Sequence, residues 1–454
     1  MALLALGTAR LGGAQAEIRE LGGQRVGWFR IADEADDDGD EGDGRGAIGP
    51  DEADSVARLV RLATDAGIPV VGVIAVSGTD VRHGVASLVA WGRIASALVQ
   101  ASGVVPIAIA VIGPCAAGPA LLMGLADIVV FTRDASAFVS GPAAVMGMTG
   151  EDISAFDLGG AAIHSTESGM AAVVATDETD AMDSIATALA YLPANNHELP
   201  PWAMNDDVLD RDCEANVPAS ANAGYDVRGV VDEVCDRGSW FELWRRHAAN
   251  VAVGFARVDG YPVGVVANQP AWLAGTLDIE ASTKAARFVQ LCDAFNVPLL
   301  TFVDTPGFQP GKDLEWRGMI RHGAKLVHAY AAATVPRVCV ILRKAYGGAY
   351  IVMDSRGMGS DFVVSWPQAE IAVMGAAGAI GLLYGRRDLP AEEMKRLTDA
   401  YQADYCTPRV AAERGYVDAV IEPADTRRIV VGAFEALRSK REHLPKRRHA
   451  NPPQ

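Results

Sequence analysis

Two rhythms of apolar and polar positions run along this chain, and they predict a β/α alternation. Residues 22–31 (GGQRVGWFRI) read as a strand, apolar positions return at helical spacing from Asp51 to Ala66, and Ile68 to Val76 (IPVVGVIAV) is an unbroken apolar run. A helix followed by a short continuous apolar run predicts a parallel strand buried on both faces. Between Asn195 and Gly224 the pattern lapses into Pro, Asn and Asp without periodicity, which reads as a linker. The predicted organisation is a first domain over residues 1–199, a linker over 200–224 and a second domain over 225–454.

The pattern also repeats. Pro69 and Pro106 each open or follow an apolar strand in the first half, as Pro298 and Pro336 do in the second, and the prolines are 37 and 38 residues apart. Pro106 to Gly118 and Pro336 to Gly348 both span 12 residues, and Asp127 to Gly141 and Asp361 to Gly375 both span 14. Three matching spacings between matching residue types predict two copies of one α/β fold.

Composition narrows the function classes. A length of 454 residues fits two domains of about 200 residues each. A formal net charge of -17 argues against a nucleic-acid or anionic-membrane partner, which would require a broad basic face. Six cysteines (Cys115, Cys213, Cys235, Cys292, Cys339 and Cys406) form no C-x-x-C pair, so neither a zinc ribbon nor a disulfide framework is expected, and a reducing cytoplasm fits. The opening run from Met1 to Ala16 lacks a basic n-region and a long h-region, so export is not expected. No uninterrupted apolar stretch is long enough to predict a transmembrane helix. The acidic run from Asp33 to Asp43 lacks the ligand spacing of an EF-hand and reads as a solvated loop, and the basic tail from Arg438 to Arg448 as a solvated or partner-docking segment.

Candidate chemistry lies at the strand ends. Gly113-Pro-Cys-Ala-Ala-Gly118 and Lys344-Ala-Tyr-Gly-Gly-Ala349 place small residues between an apolar strand and a predicted helix. Small residues allow close approach to the backbone, and free N–H groups at a helix N-terminus face negative charge. A second glycine follows in each copy, at Gly141-Pro142 and Gly375-Ala376; Pro142 has no N–H, so Gly375-Ala376 is the better donor pair. Each glycine cluster is equally readable as a tight turn. No nucleophile elbow, P-loop, dinucleotide fingerprint or H-E-x-x-H motif is present, and the eight dispersed histidines show no metal spacing. Duplicated oxyanion sites without a nucleophile point to enolate chemistry, in which backbone N–H groups hold the charge.

The segment GPCAAGPALLMGLADIVV resembles the oxyanion strand of the crotonase superfamily. The segments LAGTLDIEASTKAARFVQLCDAFNVPLLTFVDTPGFQPG, RHGAKLVHAYAAATVPRVCVILRKAYGGAYIVM and SWPQAEIAVMGAAGA, with TGEDISAFDLGGAAIHSTESGMA in the first half, resemble the carboxyltransferase (β) subunits of biotin-dependent acyl-CoA carboxylases, of actinobacterial propionyl-CoA type. The resemblance covers about residues 50–454 and implies two tandem crotonase-like domains, each a ββα-type superhelix. It implies transfer of CO2 from N1-carboxybiotin, delivered by a biotinylated α subunit, to the α-carbon of propionyl-CoA or acetyl-CoA. It further implies a hexamer, or a mixed ring with another β subunit, with sites between the first domain of one subunit and the second domain of another. By the same resemblance Ala117-Gly118 and Gly375-Ala376 are the two oxyanion pairs, and Lys344, Tyr346, Gly347, Gly348, Ala349 and Gly378 border substrate or biotin. The chain departs from the family pattern with a shortened N-terminus and with Asp80, in the run Ala75 to His83, where the family carries an Arg. A scaffold subunit with an inactive first domain, a decarboxylase and a carboxyltransferase for an unusual substrate remain alternative readings.

Overall fold

The computed structural model describes residues 2–5, 14–32, 47–76, 78–220, 223–385, 389–446, 448–449 and 451–453, so the acidic run from Asp33 to Asp43 lies outside the described residues. Two compact units divide the chain. The first runs to Pro201 and takes in Trp244–His247 and Ala294–Asn296; the second holds Trp202–Leu243, Ala248–Asp293 and the chain from Val297 onward.

In the first unit the main sheet is built from β1 (Ala2–Ala5), β2 (Ala14–Leu21), β3 (Gln24–Ala32), β4 (Val70–Val76), β5 (Ile107–Ala116), β6 (Ile128–Thr132), β7 (Ser136–Phe138) and β8 (Val173–Ala175), and a separate two-stranded pair joins Ala47–Ile48 to Gly78–Thr79. The main sheet runs in the order β1-β2-β3-β4-β5-β6-β8, with β7 paired to the outer end of β5. The second unit repeats this order with β9 (Phe241–Leu243), β10 (Val251–Val258), β11 (Tyr261–Asn268), β12 (Leu299–Thr305), β13 (Arg337–Tyr346), β14 (Phe362–Ser365) and β16 (Ala419–Val420), while β15 (Glu370–Ala372) pairs with the outer end of β13. The spacing match in the sequence is thus a match of topology.

The local causes repeat as well. Each sheet contains an antiparallel hairpin, β2–β3 in one unit and β10–β11 in the other, whose two turn residues have positive φ, Gly22 and Gly23 in the first and Asp259 and Gly260 in the second. Positive φ at both positions matches the twist of the flanking strands. The remaining central pairs are parallel, and parallel neighbours require a crossover, here helical. The helices α1 (Pro50–Ala66) and α2 (Val85–Ala101) serve the first unit. A proline at the first helical position and a Glu52 carboxylate accepting from Gly49 N–H at 3.1 Å start α1, and Gly67 at φ 65° ends it.

The apolar face of α1 (Val56, Leu59, Val60, Ala63) and that of α2 (Ile94, Leu98) pack with Ile107, Ile109 and Val111 of β5 into the first core. In the second unit one core gathers Leu300, Phe302, Val338, Val340, Leu342, Val364 and Trp366. The segment read as a linker contributes to that core through Cys213 and Val217. Two buried arginines hold it: Arg427 donates to the Val208 carbonyl at 3.0 Å and Arg343 to the Ser220 carbonyl at 2.7 Å. Its lack of periodicity reflects extended backbone satisfied by side chains rather than by a ladder. In the basic tail, Lys440 is anchored to Asp361 at 2.9 Å and to the Val335 carbonyl at 3.1 Å. All six cysteines are free and buried, and no helix among the described residues is long and apolar enough to cross a membrane.

Candidate active site

Each unit carries the same strand-to-helix elbow at the end of its central strand. In the second unit β13 is buried as far as Arg343 and then emerges, with a register shift against β12 between Val303 and Thr305. At that shift Asp304 anchors the strand. One carboxylate oxygen accepts from Lys344 N–H at 3.1 Å, and the other accepts from Arg343 Nε at 3.0 Å and from the Tyr225 hydroxyl at 2.9 Å. Burial holds the Asp304 carboxyl above its usual range, opposed by the Arg343 charge.

Beyond the anchored strand, Gly347 turns the chain at φ 61°, and a Cβ there would meet the Val373 carbonyl oxygen at 3.1 Å. The helix Gly347–Val352 follows and contains Gly348 and the buried Ala349. Next comes the short strand β15, then Gly375, which caps the helix Ala376–Tyr384. The first N–H groups of such a helix have no intrahelical acceptor, and Ala376 N–H is among them. Gly378 lies one turn on, with the Met374 sulfur 3.7 Å from its Cβ position.

The Tyr346 ring rests against Gly375, its Cε2 atom 3.6 Å from the Gly375 Cβ position, and its hydroxyl donates to Glu370. Gln402 donates to the other Glu370 oxygen at 3.1 Å. Burial and the Glu370 carboxylate push the Tyr346 phenol up, so it stays protonated. Lys344 projects from a half-buried position on β13 directly opposite Glu370 in the parallel register. Sequence reasoning placed Tyr346 and Lys344 here but missed Glu370, Gln402 and Asp304. The signal for Glu370 was present, since it is the one charge in the run SWPQAEIAV.

The first unit bends differently at the same elbow. Ala117, a residue with a Cβ, adopts φ 61° and ψ -148°, and its N–H donates to the Phe138 carbonyl at 3.0 Å. Of the pair Ala117-Gly118, the Ala117 donor is therefore already used within the unit, a departure from the sequence expectation. Gly118 is the first residue of the helical turn Gly118–Leu125, where an N–H has no intrahelical acceptor. Its backbone is closely covered by the Trp91 indole, 2.8 Å from the Cβ position, a space that only glycine leaves. The counterpart of Gly375 is Gly141, and the helix after it, Pro142–Thr149, begins with a residue that has no N–H.

Neighbouring reactive groups are quiet. Burial pushes the Cys115 thiol up to about 12, which leaves no thiolate at neutral pH. His164 contacts the Ala137 carbonyl oxygen at 2.8 Å and the Ser168 hydroxyl at 2.7 Å, with its ring centroid 5.0 Å from that of Phe131, and so serves packing. Asp80, which reverses a charge relative to the resembled family, is a capping residue: its carboxylate accepts from Arg82 N–H at 2.9 Å and from Arg82 Nε and Nη2, both at 3.0 Å. Those bonds lower the Asp80 carboxyl and neutralise its charge locally.

Comparisons with known proteins point in one direction. The carboxyl transferase domain model matches residues 40–452. The propionyl-CoA carboxylase beta chain of Saccharopolyspora erythraea is 46% identical over 428 residues, covering 90% of this chain and 78% of that protein. The methylmalonyl-CoA decarboxylase subunit alpha of Veillonella parvula is 42% identical over 412 residues, covering 90% of this chain and 80% of that protein. The crystal structure of a transcarboxylase 12S hexamer with hydrolysed methylmalonyl-coenzyme A bound superposes with a TM-score of 0.93 at 39% identity, covering 97% of this chain and 85% of that one.

Proposed function

The chain belongs to the carboxyl transferase family, and from that membership we propose that it moves a carboxyl group from N1-carboxybiotin to the α-carbon of a short-chain acyl-CoA, propionyl-CoA or acetyl-CoA. The observation that carries this reading is the Gly375-Ala376 helix terminus, which follows the short strand β15 paired to the end of the anchored strand β13, in a chain 46% identical to a propionyl-CoA carboxylase beta chain. Transfer breaks the N1–C bond of carboxybiotin and forms a C–C bond at the α-carbon, while the α-proton passes to the biotin side. Negative charge grows on two oxygens during this exchange, the thioester oxygen and the ureido oxygen. Fixed backbone donors stabilise such charge without reorganising.

In this reading Gly375 and Ala376 hold the ureido oxygen and Gly118 contributes to holding the thioester oxygen. Tyr346, Gly347, Gly348, Ala349 and Gly378 shape the surrounding wall, and Lys344 supplies positive charge. The biotin is carried by a biotinylated α subunit. Assembly into a hexamer, alone or as a mixed ring with a second β subunit, is supported by apolar side chains that stay exposed at matching positions in each unit: Leu121 (51%) and Ile351 (43%), Val139 (60%) and Val373 (76%). The cytoplasm is the compartment proposed, where ATP and acyl-CoA are present.

Purified chain mixed with a biotinylated α subunit, ATP, labelled bicarbonate and acetyl-, propionyl- and butyryl-CoA tests the proposal, with label in an acid-stable acyl-CoA product as the expected result. Normal assembly without label in any product would instead favour the scaffold reading. The Veillonella relative supports a second reading, decarboxylation, which predicts loss of methylmalonyl-CoA without ATP.

A further inference from the structure

Beside the helix terminus of the second unit lies a side-chain tether that the first unit lacks. Tyr346 ends β13, Glu370 opens the parallel strand β15, and Gln402 sits on the π-helical turn Gln402–Cys406. Both oxygens of Glu370 are engaged, Oε2 by the Tyr346 hydroxyl and Oε1 by Gln402 Nε2 at 3.1 Å. The far edge of the tethered ring lies against Gly375: Cε2, Cζ and the hydroxyl oxygen are 3.6, 3.8 and 3.8 Å from its Cβ position. A ring fixed at its backbone end and at its hydroxyl has little freedom left, and a hydrogen bond to a carboxylate is stronger than one between neutral groups.

The register identifies the first-unit counterparts. Lys344 pairs with Glu370 and Tyr346 with Ala372, as Pro114 pairs with Ser136 and Ala116 with Phe138. Where the second unit has Tyr346 and Glu370, the first has Ala116 and Ser136. The first unit therefore has no tether, and its following helix starts with Pro142 and has no donor at that position. Tether and donor occur together in one unit and are absent together from the other.

We propose that Glu370 is a positioning residue for carboxyl transfer, holding Tyr346 against Gly375 so that the Gly375 and Ala376 N–H groups keep one direction. The proposal rests on the carboxyl-transfer reading above. Glu370 touches no reacting atom in this scheme; it acts through the phenol ring.

The test is the half-reaction of methylmalonyl-CoA with free d-biotin, followed as propionyl-CoA release. The bond between the α-carbon and its carboxyl breaks, the N1–C bond of carboxybiotin forms, and the N1 proton goes to the α-carbon. Tyr346→Phe removes one oxygen and keeps the ring, and Glu370→Ala removes the acceptor. Each is expected to lower kcat about tenfold while KM for methylmalonyl-CoA stays within about twofold, since misdirected donors weaken the transition state rather than substrate binding. Glu370→Gln, which keeps an acceptor for the hydroxyl, recovers most of kcat. The Tyr346→Phe/Glu370→Ala double variant loses no more than either single one, as expected of residues acting as a unit.

Equal kcat for wild type and both single variants, or losses that multiply in the double variant, would overturn the proposal, as would a rise in KM that accounts for the whole effect. Thermal midpoints of Tyr346→Phe and Glu370→Gln near that of the wild type tie the losses to positioning. A wild-type chain that yields no propionyl-CoA here and no labelled product with the α subunit overturns the carboxyl-transfer reading and this proposal together. An active wild type with unaffected variants overturns this proposal alone.

Discussion

The two units share a frame strand for strand, yet they spend their strand ends differently. At the register shift beside the central strand the second unit places Asp304, with Arg343 and Tyr225 bonded to it, while the first unit places Ala75 in the matching position. At the elbow the second unit has Gly347 and the first has Ala117, both at φ 61°. At the next helix the second unit begins with Ala376 and the first with Pro142. Duplication preserved the sheet, which depends on apolar content, and released the ends, which depend on single residues. The difference teaches that donor geometry is a separate property from the fold that carries it.

The most disruptive way to probe this contrast is at Asp304. Asp304→Ala leaves the Arg343 guanidinium buried without its carboxylate, and removing one partner of a buried pair costs about 3–5 kcal/mol. Urea unfolding of the full chain measures the loss. The Asp304→Ala/Arg343→Met double variant makes this place as apolar as Ala75 makes the first unit, and it is expected to recover part of the stability. Full loss in the double variant would mean that the Arg343 bonds to the Ser220 and Ala223 carbonyls, rather than the ion pair, hold the site.

The next effect falls on activity. Ala376→Pro gives the second unit the helix start of the first, and a proline at the first helical position is well tolerated. Gly375 already has φ -55° and ψ 144°, a conformation that the residue before a proline adopts. The change therefore removes a donor and little else, and kcat for carboxyl transfer is expected to fall about 100-fold, the usual cost of one oxyanion donor. The reverse change, Pro142→Ala, does not rescue it.

How much of this was legible in the sequence follows the same division. The duplicated sheet was readable because buried parallel strands are long apolar runs, and matching spacings such as Pro106 to Gly118 and Pro336 to Gly348 survive any change of surface residue. The second unit's elbow was readable too, since few residues other than glycine tolerate the turn at Gly347, whereas the first unit makes the same turn with Ala117. The Ala117 bond to Phe138 was not, because it depends on where a short strand 20 residues later comes to lie. Glu370 and Gln402 escaped for a related reason: they are 32 residues apart and meet only because a π-helical turn brings Gln402 to β15. Asp80, read as a charge reversal, became intelligible only with the Arg82 side chain folded back onto it.

A smaller effect is a pH dependence confined to the second unit. Lys284, on the helix Ile279–Ala294, donates to the Val251 carbonyl at 2.6 Å, and burial lowers its ammonium to about 7. In the unfolded chain the group titrates near its ordinary value of about 10.4. Between those values the unfolded state binds more protons than the folded one, so stability rises with pH across this window and is lost as pH falls through about 7. The expected slope in Lys284→Met, compared with wild type by urea unfolding at pH 7 to 10, is smaller by up to about 1.4 kcal/mol per pH unit. Parallel curves for the two proteins would contradict it.

The smallest effect tests the elbows themselves. Ala117 has φ 61° and ψ -148°, a region that costs a residue with a Cβ about 1–3 kcal/mol and costs glycine little. Ala117→Gly relieves that strain but adds about 0.5–1 kcal/mol of unfolded-state entropy, so a net gain of about 1 kcal/mol is expected. The opposite change in the second unit, Gly347→Ala, introduces strain at φ 61° and a 3.1 Å contact with the Val373 carbonyl oxygen, and is expected to cost about 1–2 kcal/mol. If both changes are made in one chain, the elbows exchange their residues, and distant sites should add. A near-zero sum would show that the two elbows store strain equally; a clear net loss would show that the Val373 contact makes the second elbow the stricter of the two.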